Sequence, residues 1–427
     1  ASSCAFAEKI NVEMVKSQTL KNNPSIAAAK LELDIQKQSF YSSFGAFLPK
    51  IAVSAGIGSA SILDECFELV DVLDNGAYNS NLTVRASLFS GFSDYNNMKS
   101  LLAQVKIAQQ RYAEIVADAV CIANAKYVTL MYCYEFLNLC RQIKNRRIEN
   151  RDLIKLRYSA GGADLGALMR IEADVKTSEY ELKKAERAIE TASAELLAAI
   201  GRSDIETILE TDEKMLVDKN TVKKFDFDNL IVNIPKFLIE KYKLETLKYV
   251  NLAKKWSRWL PQITCDGTIT HKDDLFDDEE EENENNDESN PKRPPTTLSV
   301  GVNVEYVLFG GGQKFFNTKS ESMGYKKNAE TLRSIENSIR SQAVEYYNTM
   351  LDNYEILEVT KLSLESFKLQ TDIAKKKYIN GLVSYDEWYV TEYNYIQAQK
   401  KILSCKYEAI ISKISWMKFL GKISDEE

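Results

Sequence analysis

Leu88-Phe89-Ser90-Gly91 and Leu308-Phe309-Gly310-Gly311 stand 220 residues apart and open two segments that keep the same landmarks at the same distances. Sixty-nine residues beyond each phenylalanine comes a tyrosine with a glycine three further on, Tyr158 and Gly161 in the first copy, Tyr378 and Gly381 in the second. A glutamate follows in register, Glu172 and Glu392, and each copy closes on an apolar residue and a glycine, Ile200-Gly201 and Leu420-Gly421. A register that holds from end to end without a gap marks a duplicated structural unit.

Between these landmarks each copy reads as a long helix, a short turn and a returning helix. Leu101, Val105, Ala108, Tyr112, Ile115, Ala119 and Ile122 step by four and three, a heptad-like apolar seam. The seam then moves by one position to Ala123, Tyr127, Leu130, Tyr134 and Leu137, and the second copy repeats it at Ala343, Tyr347, Met350, Tyr354 and Leu357. No proline interrupts either segment. At 1.5 Å per residue, each first helix is a rod of roughly 100 Å.

Upstream the repeat continues. Asn23-Pro24 and Leu48-Pro49 bracket a helix in the first copy, and Ile234-Pro235 and Leu260-Pro261 bracket its counterpart in the second. After each closing proline the pattern changes to period two. Ile51, Val53, Ala55 and Ile57 alternate with small or polar residues, as do Leu82, Val84, Ala86 and Leu88. In the second copy Ile263, Cys265, Gly267 and Ile269 alternate weakly, and Leu298, Val300, Val302, Val304 and Tyr306 alternate cleanly. Such strands suit a membrane barrel, with one face to lipid and one to water, or an ordinary half-buried sheet. Four strands cannot close a barrel, and an open edge has no partner in hydrocarbon. A membrane role therefore implies several chains sharing one barrel, eight strands from two chains or twelve from three.

Composition excludes other classes. The chain has 427 residues, 44% hydrophobic and 27% charged, and a net charge of -7, with no basic surplus for nucleic acid. No apolar run approaches the length of a membrane-spanning helix. The single histidine, His271, and seven cysteines without a C-x-x-C pair predict neither metal nor cofactor. Cys133 and Cys140, two helical turns apart, read as small core residues. Glu172 and Glu392 have no histidine or cysteine nearby, are expected to be solvated, and point away from an enzyme. Gly310-Gly311-Gly312-Gln313-Lys314 lacks the spacing of a phosphate loop and reads as a strand-to-helix turn. Ala5-Phe6-Ala7 has the form of the end of an export signal; the alternative, a lipidated Cys4, lacks the aliphatic residue usual three places before it. Asp277 to Glu282 is an unbroken acidic run, expected to be a solvated loop.

Together these landmarks resemble the TolC family of outer-membrane efflux proteins, over essentially the whole chain from about Glu8. The expected fold is an α+β membrane protein in which duplicated helical hairpins form an α-barrel and four strands per chain join a shared, trimeric, 12-stranded β-barrel. Residues 1–7 are the signal remnant. Residues 8–201 form the first repeat, with a β-hairpin at 50–89 and a helical hairpin at 91–201. Residues 202–229 are a connector; 230–421 form the second repeat, with a β-hairpin at 262–309, its acidic loop at 273–295 and a helical hairpin at 312–421; 422–427 are a tail. The resemblance implies a passive exit duct in the outer membrane, its helices in the periplasm, as a homotrimer joined through a periplasmic adaptor to an inner-membrane transporter, for efflux or type I secretion. The alternative is an elongated coiled-coil scaffold without a membrane part.

The same resemblance implies a periplasmic gate at the second helical turn, with Tyr378 helping to hold it shut and Glu387, beside Asp386, at the closing acidic position. The matching first-copy residue is Ala167, and a second acidic ring position falls on Val390, a departure from the family pattern. Read from the residues alone, Asp386 and Glu387 are helix-start acids favoured by the dipole. The turn residues Tyr158, Gly161, Asp164, Gly381 and Ser384 would face the adaptor.

Overall fold

The computed structural model describes residues 8–59, 76–204, 207–211, 213–217, 231–274 and 296–423. The segment read as a signal remnant, nearly all of the acidic loop, much of the connector and the end of the tail lie outside the described residues. The elements are β1 (Glu8–Lys9), α1 (Val12–Asn22), α2 (Pro24–Ser43), β2 (Lys50–Ser59), β3 (Gly76–Phe89), α3 (Ser93–Ser159), α4 (Leu165–Ile200), β4 (Leu209–Glu210), α5 (Pro235–Trp259), β5 (Gln262–Asp274), β6 (Thr296–Glu305), α6 (Gln313–Ile379) and α7 (Tyr385–Leu420). They fall into two compact units. One is drawn from Ala1–Leu33, Ile107–Glu240 and Leu332–Glu427, the other from Asp34–Lys106 and Lys241–Thr331.

The second of these units is built on one antiparallel sheet in the order β2-β3-β5-β6. Its register sorts the alternating residues into two faces. Val53, Leu82, Ile269 and Leu298 form one continuous apolar row, and Ile51, Val84, Gly267 and Val300 form the next. The opposite face carries rows such as Ser54, Asn81, Thr270 and Thr297. Ile51, Val53, Ile57 and Val300 are between 69% and 79% exposed, so among the described residues of one protomer nothing covers the apolar face. Among the described residues both edge strands, β2 and β6, keep a free hydrogen-bonding edge. Two details depart from the alternation. A bulge between Ser87 and Phe89 brings Phe89, rather than Leu88, opposite Ile263. β6 ends at Glu305, short of Tyr306, because its partner β5 begins at Gln262 after Pro261, which has no N–H to continue the ladder.

The other unit is helical. α3 and α6 are 67 residues each and α4 and α7 are 36 each, so the duplication reaches the helix lengths. The shift of the seam is real: Ala119 and Ala123 are buried, while Ile122 between them is 45% exposed. Ala123, Tyr127, Leu130, Leu137 and Cys140 of α3 pack with Ala185, Ile189, Leu196 and Ile200 of α4, joined by Val15 of α1 and Leu209 of β4. In the second hairpin Ala343, Met350 and Tyr354 of α6 meet Ala409 and Trp416 of α7. Each fully buried large side chain contributes about 1.5–3 kcal/mol. Cys133 and Cys140 are core residues, as read. The connector supplies β4, which pairs in parallel with β1.

One expectation is corrected here. α3 contains an 18-residue window apolar enough by length and composition to cross a membrane, although the sequence reading found none. Its isoleucines, valines and alanines supply that apolarity, and 56% of the window is buried inside the protein, so the apolar character serves helix packing.

Candidate functional site at the helical turns

Both hairpins turn by the same chemistry. In the first, Gly161 N–H donates to Tyr158 O at 3.0 Å and Gly162 N–H to Arg157 O at 2.8 Å; in the second, Gly381 N–H donates to Tyr378 O at 3.0 Å and Leu382 N–H to Lys377 O at 2.9 Å. Gly161 and Gly381 hold φ at +74° and +73°, the left-handed cap that ends a helix at little cost only with glycine. The return helices start on matched caps. The Asp164 carboxylate accepts from Ala167 N–H at 2.7 Å, and Ser384 Oγ accepts from Glu387 N–H at 3.2 Å. Tyr-x-x-Gly followed by a capping residue is therefore a complete turn signal.

The copies diverge in what they bury. Tyr158 is 42% exposed, whereas Tyr378 is 3% exposed. Tyr378 stacks on Trp388 with ring centroids 4.9 Å apart and planes at 18°, and the Arg157 guanidinium lies 4.4 Å from the tyrosine ring centroid. Arg157 Nη2 also donates to Ile379 O at 2.7 Å, tying the two turns together. Ile154, Ala167 and Ile171 of the first hairpin complete this core. The Oη atoms of Tyr378 and Tyr385 and Nε1 of Trp388 are buried, and no described residue hydrogen-bonds them. Burial pushes the Tyr385 hydroxyl well above the usual phenol range, with the Asp174 carboxylate adding to it.

The acids separate into three environments. Asp386 is 81% exposed and pairs with Arg170 at 3.2 Å, a surface bridge worth about 0–1 kcal/mol. The Arg170 guanidinium also lies 3.7 Å from the ring centroid of Tyr389. Glu387 is exposed and only its backbone serves the cap. Glu392 is the correction, since it was expected to be solvated. Its side chain is 2% exposed, accepting from Arg146 Nε at 2.5 Å and Nη2 at 2.9 Å and from Asn150 Nδ2 at 3.2 Å. A carboxylate there is tolerated because a bidentate guanidinium and an amide satisfy it. The matched Glu172 is exposed.

The structure thus brings Tyr378 into the tip core, sets Asp386 against the other hairpin and leaves Glu387 free toward solvent. Tyr158, Gly161, Asp164, Gly381 and Ser384 all lie at or beside the turns, exposed. Sequence reasoning missed Arg146, Arg157 and Arg170, which make polar links between the hairpins, Arg147, which pairs with Asp174 of its own hairpin at 2.9 Å and lies 5.7 Å from the Tyr389 ring centroid, and Trp388. The available signal was an arginine-rich stretch, Arg141 to Arg157, matched against the aromatic run Tyr385, Trp388, Tyr389, Tyr393 and Tyr395. Among the described residues no group of histidine, cysteine and acidic side chains is arranged to hold a metal ion.

Comparison with known proteins adds the following. The family model for outer membrane efflux proteins matches residues 15–202 and 246–422. Outer membrane protein TolC of Vibrio cholerae is 20% identical over 445 aligned positions, covering 100% of this chain and 93% of the relative. Among solved structures, the outer membrane protein VceC of Vibrio cholerae superposes with a TM-score of 0.80 at 15% identity, covering 96% of each chain. The open-state MtrE outer membrane channel of Neisseria gonorrhoeae gives 0.79 at 14% identity, covering 96% of this chain and 89% of that one. CusC gives 0.82 at 13% identity, with 96% and 92% covered.

Proposed function

The chain belongs to the outer membrane efflux protein family, and from that premise we propose that three copies of it close a single β-barrel through the free edges of β2 and β6. Members of the family are passive ducts in the outer membrane, not enzymes, and that is the activity of this chain. The observation that carries the shared barrel is the four-stranded sheet, open at both edges and bare on its apolar face among the described residues, and the number three is taken from the family. Lipid covers Ile51, Val53, Val300 and their neighbours, and the polar rows line the lumen. A coiled-coil scaffold gives the apolar face nothing to meet.

At the tips, three copies of Asp386 and Glu387 make the acidic rim of the tunnel, with Tyr378 and Trp388 as the packed support behind it. The exposure of both acids supports this role, and the burial of Tyr378 Oη supports reading the tyrosine as packing within its own protomer. Tyr158, Gly161, Asp164, Gly381 and Ser384 present the exposed turns to an adaptor, which links the duct to an inner-membrane transporter. The solution mass in detergent tests the assembly. Three chains of 48.5 kDa are expected, and a folded, detergent-soluble monomer refutes the shared barrel.

A further inference from the structure

We propose that the polar face of the four-stranded sheet carries an anion-binding station, with Lys50 and Arg85 as recognition groups and solutes bearing phosphate or carboxylate groups as its ligands. It rests on the reading of that face as the wall of a channel lumen. Lys50, the first residue of β2, stands directly across from Arg85 on β3. Like charges in directly opposed positions work against strand pairing, so sheet stability does not explain the choice. Both side chains are exposed, and among the described residues neither enters an ion pair or side-chain hydrogen bond.

The surroundings complete a donor set. The row continues through Asp266 to Gly301. The Asp266 carboxylate, its one acid, accepts from Asn303 Nδ2 at 2.8 Å instead of closing on Arg85. The next row of the same face is Ala52, Thr83, Thr268 and Ser299; Thr268 Oγ1 donates to Thr83 Oγ1 at 3.5 Å and Ser299 Oγ to Thr268 O at 3.3 Å, which leaves the Thr83 hydroxyl proton for a ligand beside the two cations. A planar guanidinium fork, a compact ammonium and a flanking hydroxyl together match an oxyanion. Of the remaining charged positions of the face, Glu305 stands two rows from the pair at the same end of the sheet and Lys272 at the opposite end. Three copies of the pair around one lumen raise the local anion concentration there.

Single-channel recording in planar bilayers, with tripolyphosphate as the probe, tests the station. Tripolyphosphate is expected to reduce the wild-type current in a voltage-dependent manner. In Lys50→Gln/Arg85→Gln the half-blocking concentration should rise about tenfold or more, as for lost charge-assisted hydrogen bonds. The exchange Lys50→Arg/Arg85→Lys should keep most of the block, within about threefold, because one guanidinium and one ammonium still face each other across the strands. Lys272→Gln removes a cation from the other end of the face and should leave block unchanged, which separates the pair from general charge. Heat-resistant trimers on gels report that each variant assembles. Channels that conduct but are not blocked, or a neutral variant blocked like wild type, overturn the station alone. Correctly inserted trimers that conduct nothing overturn the channel reading beneath it.

Discussion

Replacing Glu392 by glutamine removes a charge from the tip while keeping its shape. The carboxylate is 2% exposed and takes three donors, two from Arg146 and one from Asn150. An amide keeps one acceptor and turns a donor toward the remaining N–H groups. Removing one partner of a fully buried ion pair costs about 3–5 kcal/mol. Arg146 is 28% exposed and recovers hydration when its partner goes, so the expected cost falls to about 2 kcal/mol, near the desolvation penalty of one unsatisfied buried group. At about 1.4 kcal/mol per factor of ten, local opening should become about 30-fold more frequent. Hydrogen exchange of peptides covering residues 142–156 and 386–398 in the detergent-solubilised protein reads this directly. The duplication supplies the control. Glu172 is the matched residue on the surface, and Glu172→Gln should change exchange by less than about threefold, within the ±0.5 kcal/mol of a surface substitution. Arg146→Met/Glu392→Leu should restore most of the protection, since an apolar pair can replace a buried ion pair. Equal exchange in Glu392→Gln and Glu172→Gln would refute the reasoning.

Three further outcomes follow from particular contacts. Gly201 holds φ at +90° where a Cβ would come within 2.5 Å of Asn22 O, whereas Gly161 at +74° has open space; Gly201→Ala should lower the thermal transition clearly, and Gly161→Ala only by the left-handed strain of about 1–2 kcal/mol. Hydrogen bonds from Arg202 hold the Asp204 carboxyl at about 2 against an ordinary 3.8. A depressed folded pKa stabilises above the unfolded value and is lost as pH falls through the folded one, so wild type should lose its advantage over Asp204→Asn between about pH 4 and 2 in acid unfolding curves. Asp386→Ala/Glu387→Ala should lower the cation-over-anion permeability ratio of single channels, and an unchanged ratio would return both acids to ordinary helix-start residues.

The parts of the fold that were legible depend on neighbours in sequence. Period two at Ile51 to Ile57 and Leu298 to Val304 states which side chains share a face before any pairing is known. The one-position seam shift at Ile122 and Ala123 was visible because helical spacing is local. Glu392 was misread because its partner Arg146 lies 246 residues away, and nothing near Glu392 announces a guanidinium. The two Tyr-x-x-Gly turns read alike and are alike in backbone, yet Tyr378 is buried because Trp388 stands where the first copy has Leu168. Motifs fix turns, while packing between distant segments fixes burial.

The ion pairs between the hairpins join unmatched positions of the two copies. Divergence between the copies makes that pairing one-way. Here Arg146 is matched by Ser366 and Arg170 by Val390, while Asp386 is matched by Gly166. Arg146 and Arg170 thus lack a cationic twin, and each pairs with an acid of the second hairpin, Glu392 and Asp386. Lys400 returns the pattern in the other direction, reaching Glu181 at 2.8 Å. The departure at Val390 from the family's acidic position takes its meaning from this arrangement. The matched residue Arg170 serves the first hairpin as a cation toward Asp386, so charge complementarity at the tip is divided between the copies.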